Sequence, residues 1–162
     1  MKKTFLFSVL MGMMVLFSTT SVFAGDKDIK GGGSPGAGFL NVGLGVGYYG
    51  DIPLFADYEF GITKDVTIGP AIGFGFGANW LSLGAKGRFY FDDFVNLNGK
   101  FDLYAGGTLG LIPVVNNHSD HYESGGLFLA LNVGGRYHFT NRLGGFLDLS
   151  TGASSIGLSF RL

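Results

Sequence analysis

The chain predicts an all-β fold: an eight-stranded antiparallel up-and-down transmembrane β-barrel. Three observations point there. From Phe39 to Leu162, apolar residues alternate with small or polar ones. A period of two marks strands with one apolar face. The pattern recurs in about eight segments of roughly ten residues, the length of a tilted transmembrane strand. Mean hydropathy is +0.33, yet Gly and polar residues interrupt every apolar run beyond the N-terminus. An apolar chain without a run long enough for a spanning helix suits a barrel whose outside meets lipid.

Residues 1–24 read as an export signal. Lys2 and Lys3 give a positive start, an apolar core runs from Phe5 to Phe17, and Val22-Phe23-Ala24 forms a small-x-small site. Cleavage is expected after Ala24. Residues 25–38 carry charge, Gly and Pro without periodicity, and read as a flexible segment before the barrel, 39–162.

The first strand, 39–49, sets Leu40, Val42, Leu44, Val46 and Tyr48 against Asn41, Gly43, Gly45 and Gly47. Residues 50–53 turn the chain. The second strand, 54–62, sets Ala56, Tyr58, Phe60 and Ile62 against Phe55, Asp57, Glu59 and Gly61. Thr63-Lys64-Asp65 is a tight turn. The third, 66–77, carries Pro70, a local defect because proline cannot donate to a ladder. The fourth, 80–91, opposes Leu81, Leu83, Ala85, Gly87, Phe89 and Phe91 to Ser82, Gly84, Lys86, Arg88 and Tyr90. The fifth, 101–111, opposes Leu103, Ala105, Gly107 and Leu109 to Asp102, Tyr104, Gly106, Thr108 and Gly110. The longest loop, 112–125, follows. The sixth, seventh and eighth strands, 126–139, 143–150 and 155–162, complete the count.

Alternation alone does not say which face is inside. A soluble ligand-binding barrel would turn the apolar face inward. Three features favour the inverted arrangement. The polar face is mostly Gly, which fits a narrow eight-stranded lumen. Its charges balance: Asp57, Glu59, Asp102 and Asp148 against Lys86, Arg88, Arg136 and Arg161. These eight are the expected lumen ion-pair network, because a lone buried charge is costly. Aromatics gather near strand ends, at Tyr48, Trp80, Phe89, Phe91, Phe101, Tyr137, Phe139 and Phe160, as interfacial girdles do.

On these residues, on Phe101-Asp102-Leu103-Tyr104-Ala105-Gly106-Gly107 and on the last strand, the region 39–162 resembles the small eight-stranded outer-membrane barrels of the OmpA/OmpX type. The resemblance implies a bacterial outer-membrane location with both termini in the periplasm. It also implies that Ile156, Leu158, Phe160 and Leu162 form the signal read by the barrel-assembly machinery. Leu162 departs from the pattern, since that family usually ends on an aromatic.

Charge and composition narrow the function. Loss of Lys2 and Lys3 takes the basic count from 11 to 9 against 12 acidic residues, a mature charge of −3. That is no nucleic-acid signature. Without Cys there is neither a lipid-modified cysteine nor a disulfide framework. His118, His121, Asp120 and Glu123 have donors for a metal, but this spacing on a loop is unspecific. Ser119, His118 and Asp120, adjacent on one loop, cannot form a catalytic triad by themselves. No catalytic, cofactor or metal residue is assigned.

Two features of the barrel bear on partners. The outer lumen is expected to be Gly-lined, with Gly45, Phe55, Gly75, Gly110 and Phe128 around a possible cavity. Ala85, Gly87, Ala105, Gly107 and Gly135 make a small-residue groove on the lipid face of the fourth to sixth strands, suited to a lipid chain or a partner protein. Three readings of function follow. The first is a non-enzymatic structural or surface-interaction protein. The second is a lipid- or small-ligand-binding barrel, including a lipid-modifying one. The third is a subunit of a larger envelope complex. A diffusion pore fits least, since eight strands leave little open lumen.

Overall fold

The structure is a computed structural model that describes residues 36, 38–46, 52–75, 80–91, 100–112 and 126–162. Eight strands run β1 (Gly38–Val46), β2 (Pro53–Gly61), β3 (Val66–Gly75), β4 (Trp80–Tyr90), β5 (Phe101–Leu111), β6 (Leu127–His138), β7 (Leu143–Ser150) and β8 (Ser154–Arg161). Each pairs antiparallel with the next, and β8 closes on β1. The expected residue faces hold on the described strands; the ends of β2, β4, β6 and β8 differ by one residue, and the expected ends of the first and third strands, at 49 and 77, lie outside the described residues. Gly38 belongs to β1 and not to the segment before it. Pro53 opens β2, a position where its missing N–H costs no ladder bond.

The signal segment and the rest of residues 1–35 lie outside the described residues. So do Tyr48, Gly47, Gly77 and the cluster from His118 to Glu123.

β1 begins and β8 ends at one end of the barrel, called here the terminal end, where the turns 62–65 and 139–142 also lie. Val46, Pro53, Gly75, Trp80, Leu111 and Leu127 end their strands at the other, the loop end, together with residues 151–153. Two turns at the terminal end are built alike. Thr63 Oγ1 accepts from the Asp65 N–H at 3.2 Å, and Thr140 Oγ1 accepts from Arg142 and Leu143 N–H at 3.2 and 3.0 Å. Each threonine thus holds its own turn closed. The Pro70 defect is visible in the ladder. The β3–β4 register runs through Pro70–Ala85, whereas β2–β3 pairing breaks off after Asp57–Ala71 and resumes at Phe60–Ile68.

The apolar face is outside. On β6, Leu127, Leu129, Leu131 and Val133 are 78, 69, 60 and 51% exposed. On the opposite face Arg136 is 1% exposed, as are Asp102, Asp148 and Glu59 on neighbouring strands. Water would reverse this arrangement, and lipid demands it. Phe89, Phe101, Tyr137, Phe139 and Phe160 point outward near the terminal end. Phe101 packs on Tyr137 with ring centroids 4.7 Å apart, and Tyr137 meets Phe139 edge-on at 5.5 Å. That is one half of an interfacial girdle. Trp80 does not join it. It shares the face of Ser82 and Lys86, so it turns into the barrel, 6.2 Å from the Phe55 ring.

Candidate functional site

The lumen has two storeys. The one at the terminal end is a plug of paired charges. Arg88 grips Asp57 with its two terminal guanidinium nitrogens, at 2.8 and 3.0 Å, and reaches Glu59 at 2.9 Å. Arg136 meets Glu59 at 2.5 Å and Asp102 at 3.3 Å. Lys86 donates to Asp148 and stands 3.8 Å from Asp57. Planar forks answering carboxylates in this way are the strong form of a buried pair. Neutral groups complete the set. Asn41 Nδ2 donates to Asp57 and Glu59, Thr67 to Glu59 at 2.9 Å, Tyr90 to Glu59, and Asn132 to Asp148 at 2.8 Å. Aromatic faces close the gaps: Arg136 lies 4.2 Å over Phe39 and Arg88 5.1 Å over Tyr104.

Seven of the eight expected lumen charges are brought together here. Arg161 is not. It lies against the Phe39 ring at 6.0 Å, and no carboxylate among the described residues pairs with it. His138 meets Asp102 Oδ2 at 2.8 Å. Stagger between strands decides this: Arg136, two residues earlier on β6, registers with Asp102 on β5.

The storey at the loop end is a cup of about 410 Å³ above Asn41, Asp57, Lys86, Asn132 and Asp148. Ser82, Thr108, Ala130, Phe146, Ser150 and Ser155 line its walls, and Phe55, Trp80, Ile112 and Phe128 its upper part. Phe55 and Phe128 are therefore cup residues as expected from the sequence. Gly45, Gly75 and Gly110 are not in its wall. A Cβ on Gly45 would meet Phe55 at 2.8 Å, and one on Gly110 would meet Phe128 at 2.6 Å. The two rings lie over these glycines, so the glycine face is filled by aromatic packing and the open space lies beside it. Phe146 does the same to the cross-strand pair Gly43–Gly157, its ring 2.9 and 2.8 Å from where their Cβ atoms would sit. Aromatic cover of a strand glycine is a known way to pin register while allowing strong curvature.

Sequence reading passed over Phe39, Asn41, Thr67, Tyr90 and Tyr104 in the plug, and Trp80, Ser82, Thr108, Phe146 and Ser155 in the cup. All have lumen parity, which is the signal that finds them. Nothing local separates them from other inward residues. On the lipid face, Gly87 stands directly opposite Gly107, with Ala85 and Ala105 beside them. Ile156, Leu158 and Phe160 of β8 point outward, and Leu162 follows the strand.

Among solved structures, a de novo designed transmembrane β-barrel matches with TM-score 0.66 at 11% identity, over 80% of this chain and 98% of that one. The N-terminal β-barrel domain of Pseudomonas aeruginosa OprF matches at 0.63 and 13% identity, over 79% and 98%. Neisserial surface protein A matches at 0.54 and 15%, over 78% and 95%. No family model matches the chain, and no curated protein does. The fold is that of the small eight-stranded transmembrane β-barrels. A designed sequence reaches it too, so the fold by itself assigns no activity.

Proposed function

We propose that this chain is an integral outer-membrane β-barrel protein of a Gram-negative envelope with a non-enzymatic, structural or surface-interaction role. Export follows cleavage after Ala24, the barrel-assembly machinery reads β8, and outer-membrane lipids surround the belt. The terminal end faces the periplasm and the loop end the exterior. The observation that carries a non-conducting role is the plug. Arg88, Arg136, Asp57, Glu59 and Asp102 are all buried and mutually paired across the lumen near the terminal end. Moving ions through would mean breaking buried pairs, each costly to open. The export signal, the apolar belt and the likeness to Neisserial surface protein A support the location.

The test has two parts. Membranes from expressing cells are separated by density, and the purified barrel is placed in a planar bilayer. The protein should sediment with outer membrane and give no unitary current. Recovery with the inner membrane would overturn the location, and a defined conductance step would overturn the plug.

A second reading is favoured by the cup. A walled space of about 410 Å³ falls within the range of small-molecule sites, roughly 300–1,000 Å³. On this reading the barrel also holds a small ligand from the exterior side.

A further inference from the structure

The second reading leaves open what the cup would hold, and the chemistry of its wall narrows the answer. Its upper part is aromatic, with Phe55, Trp80 and Phe128. Lower down the wall carries hydroxyls. Ser82 and Ser155 are each 8% exposed and line the cup from β4 and β8, opposite sides of the barrel. Neither they nor Thr108 on β5 spends its hydroxyl on any described residue. These residues line the open space of the cup, where water or a ligand completes the hydrogen bonds of their hydroxyls.

The ions of the floor exclude charged ligands. Lys86 is the charge the cup meets most directly, its side chain 13% exposed against 9% for Asp57 and 2% for Asp148. A cation descending the cup would meet that ammonium first. An anion would meet an ammonium already held between Asp148 and Asp57, and would then face both carboxylates at close range. A hydrocarbon chain would leave the hydroxyls of Ser82, Thr108 and Ser155 dry and unbonded. A neutral molecule rich in hydroxyls has none of these faults. Its oxygens accept from the spare N–H bonds of Lys86 and exchange hydrogen bonds with the serines and the threonine. The C–H face of a sugar ring is apolar and lies flat on an aromatic ring.

Resting on the ligand-holding reading, we infer that the cup binds a small uncharged carbohydrate, with Ser82, Thr108, Ser155 and Lys86 as its polar contacts and Phe55, Trp80 and Phe128 as its apolar ones.

Trp80 is the chain's one tryptophan, so its emission reports on the cup alone. The full mature barrel in lipid nanodiscs is titrated with glucose, N-acetylglucosamine and maltose, and separately with inorganic phosphate and with choline. Native mass spectrometry of the same preparation reads any lipid retained. At least one sugar should shift Trp80 emission saturably, and phosphate and choline should not. The double variant Ser82→Ala, Ser155→Ala should weaken that sugar about tenfold, the loss of two neutral hydrogen bonds. Ala130→Phe should abolish the response by filling the cup; the gel mobility shift on heating checks that each variant is folded. An unchanged affinity in the folded double-serine variant overturns the assignment of contacts. Saturation by phosphate or choline, or a retained acyl chain, overturns the carbohydrate class while keeping a ligand-holding cup. Silence from every probe, with no lipid bound, overturns the cup reading and this inference together.

Discussion

Arg136 joins five partners in the plug: Glu59 and Asp102 by charge, Asn41 and Tyr90 by hydrogen bond, and Phe39 by its guanidinium face. Arg136→Met should therefore leave two carboxylates short of a cation and cost about 3–5 kcal/mol. Urea titration followed by gel shift measures it. Lys64 is the control, since its side chain is 72% exposed on a turn. Lys64→Glu should change stability by less than about 0.5 kcal/mol, and an equal loss at both sites would remove lumen pairing as the cause. Tyr104 is the opposite case. It is fully buried, and its hydroxyl finds no partner among the described residues. Its ring supports Arg88 and covers Gly134. Tyr104→Phe keeps the ring and removes the stranded oxygen, so the barrel should be as stable as before or more stable by about 1 kcal/mol. A clear loss would mean that the hydroxyl has a partner after all.

At the scale of the strand, β8 carries two duties. It seals the barrel against β1 through Phe39–Arg161 to Val46–Ser154, and it presents Ile156, Leu158 and Phe160 to lipid. Phe160 sits between Leu40 on β1 and Leu143 on β7. Phe160→Asp would place a carboxylate in this apolar seam and spoil the alternation that an assembly receptor would read. Immunoblots of fractionated cells should then find the chain degraded or held in the periplasm. Parent-like levels in the outer membrane would sink the proposed role of β8 in assembly. Strand β3 shows how an element tolerates a defect. Pro70 faces outward, and only its β2 side loses the ladder, while β4 pairs straight past it.

The whole molecule is a closed ring of eight strands, so no edge is left to pair with another chain. Apart from the break beside Pro70, each described strand pairs with a neighbour on both sides, which is the condition for spanning a bilayer with strands. Such a barrel unfolds as a unit. The mature protein should run faster on gels unheated than boiled, and its far-ultraviolet spectrum in detergent should be that of β-structure. A helical spectrum in a detergent-free monomer would contradict the fold. The division of the lumen also belongs to this scale. Charges cluster where Glu59, Arg88, Asp102 and Arg136 come level near the terminal end, and the volume they leave unfilled becomes the cup.

Alternation is a local property, so the sequence alone determined strand count, strand faces and the inverted orientation: Leu129 outside and Arg136 inside follow from parity and from the cost of a bare charge. The tight turn at Thr63 was legible for the same reason. Contacts across the lumen were not, because they depend on the stagger with which the sheet closes. Glu59 and Arg136 are 77 positions apart, and no local pattern sets their heights level. Stagger gave His138 to Asp102 and left Arg161 on the Phe39 ring. Trp80 turned inward by the parity it shares with Ser82, although its place at a strand end suggested the girdle. The glycines of the outer lumen suggested open space, but Phe55, Phe128 and Phe146 fold over them. Where the remaining volume lies is decided by how those rings pack around a closed circle, and only the tertiary structure contains that circle.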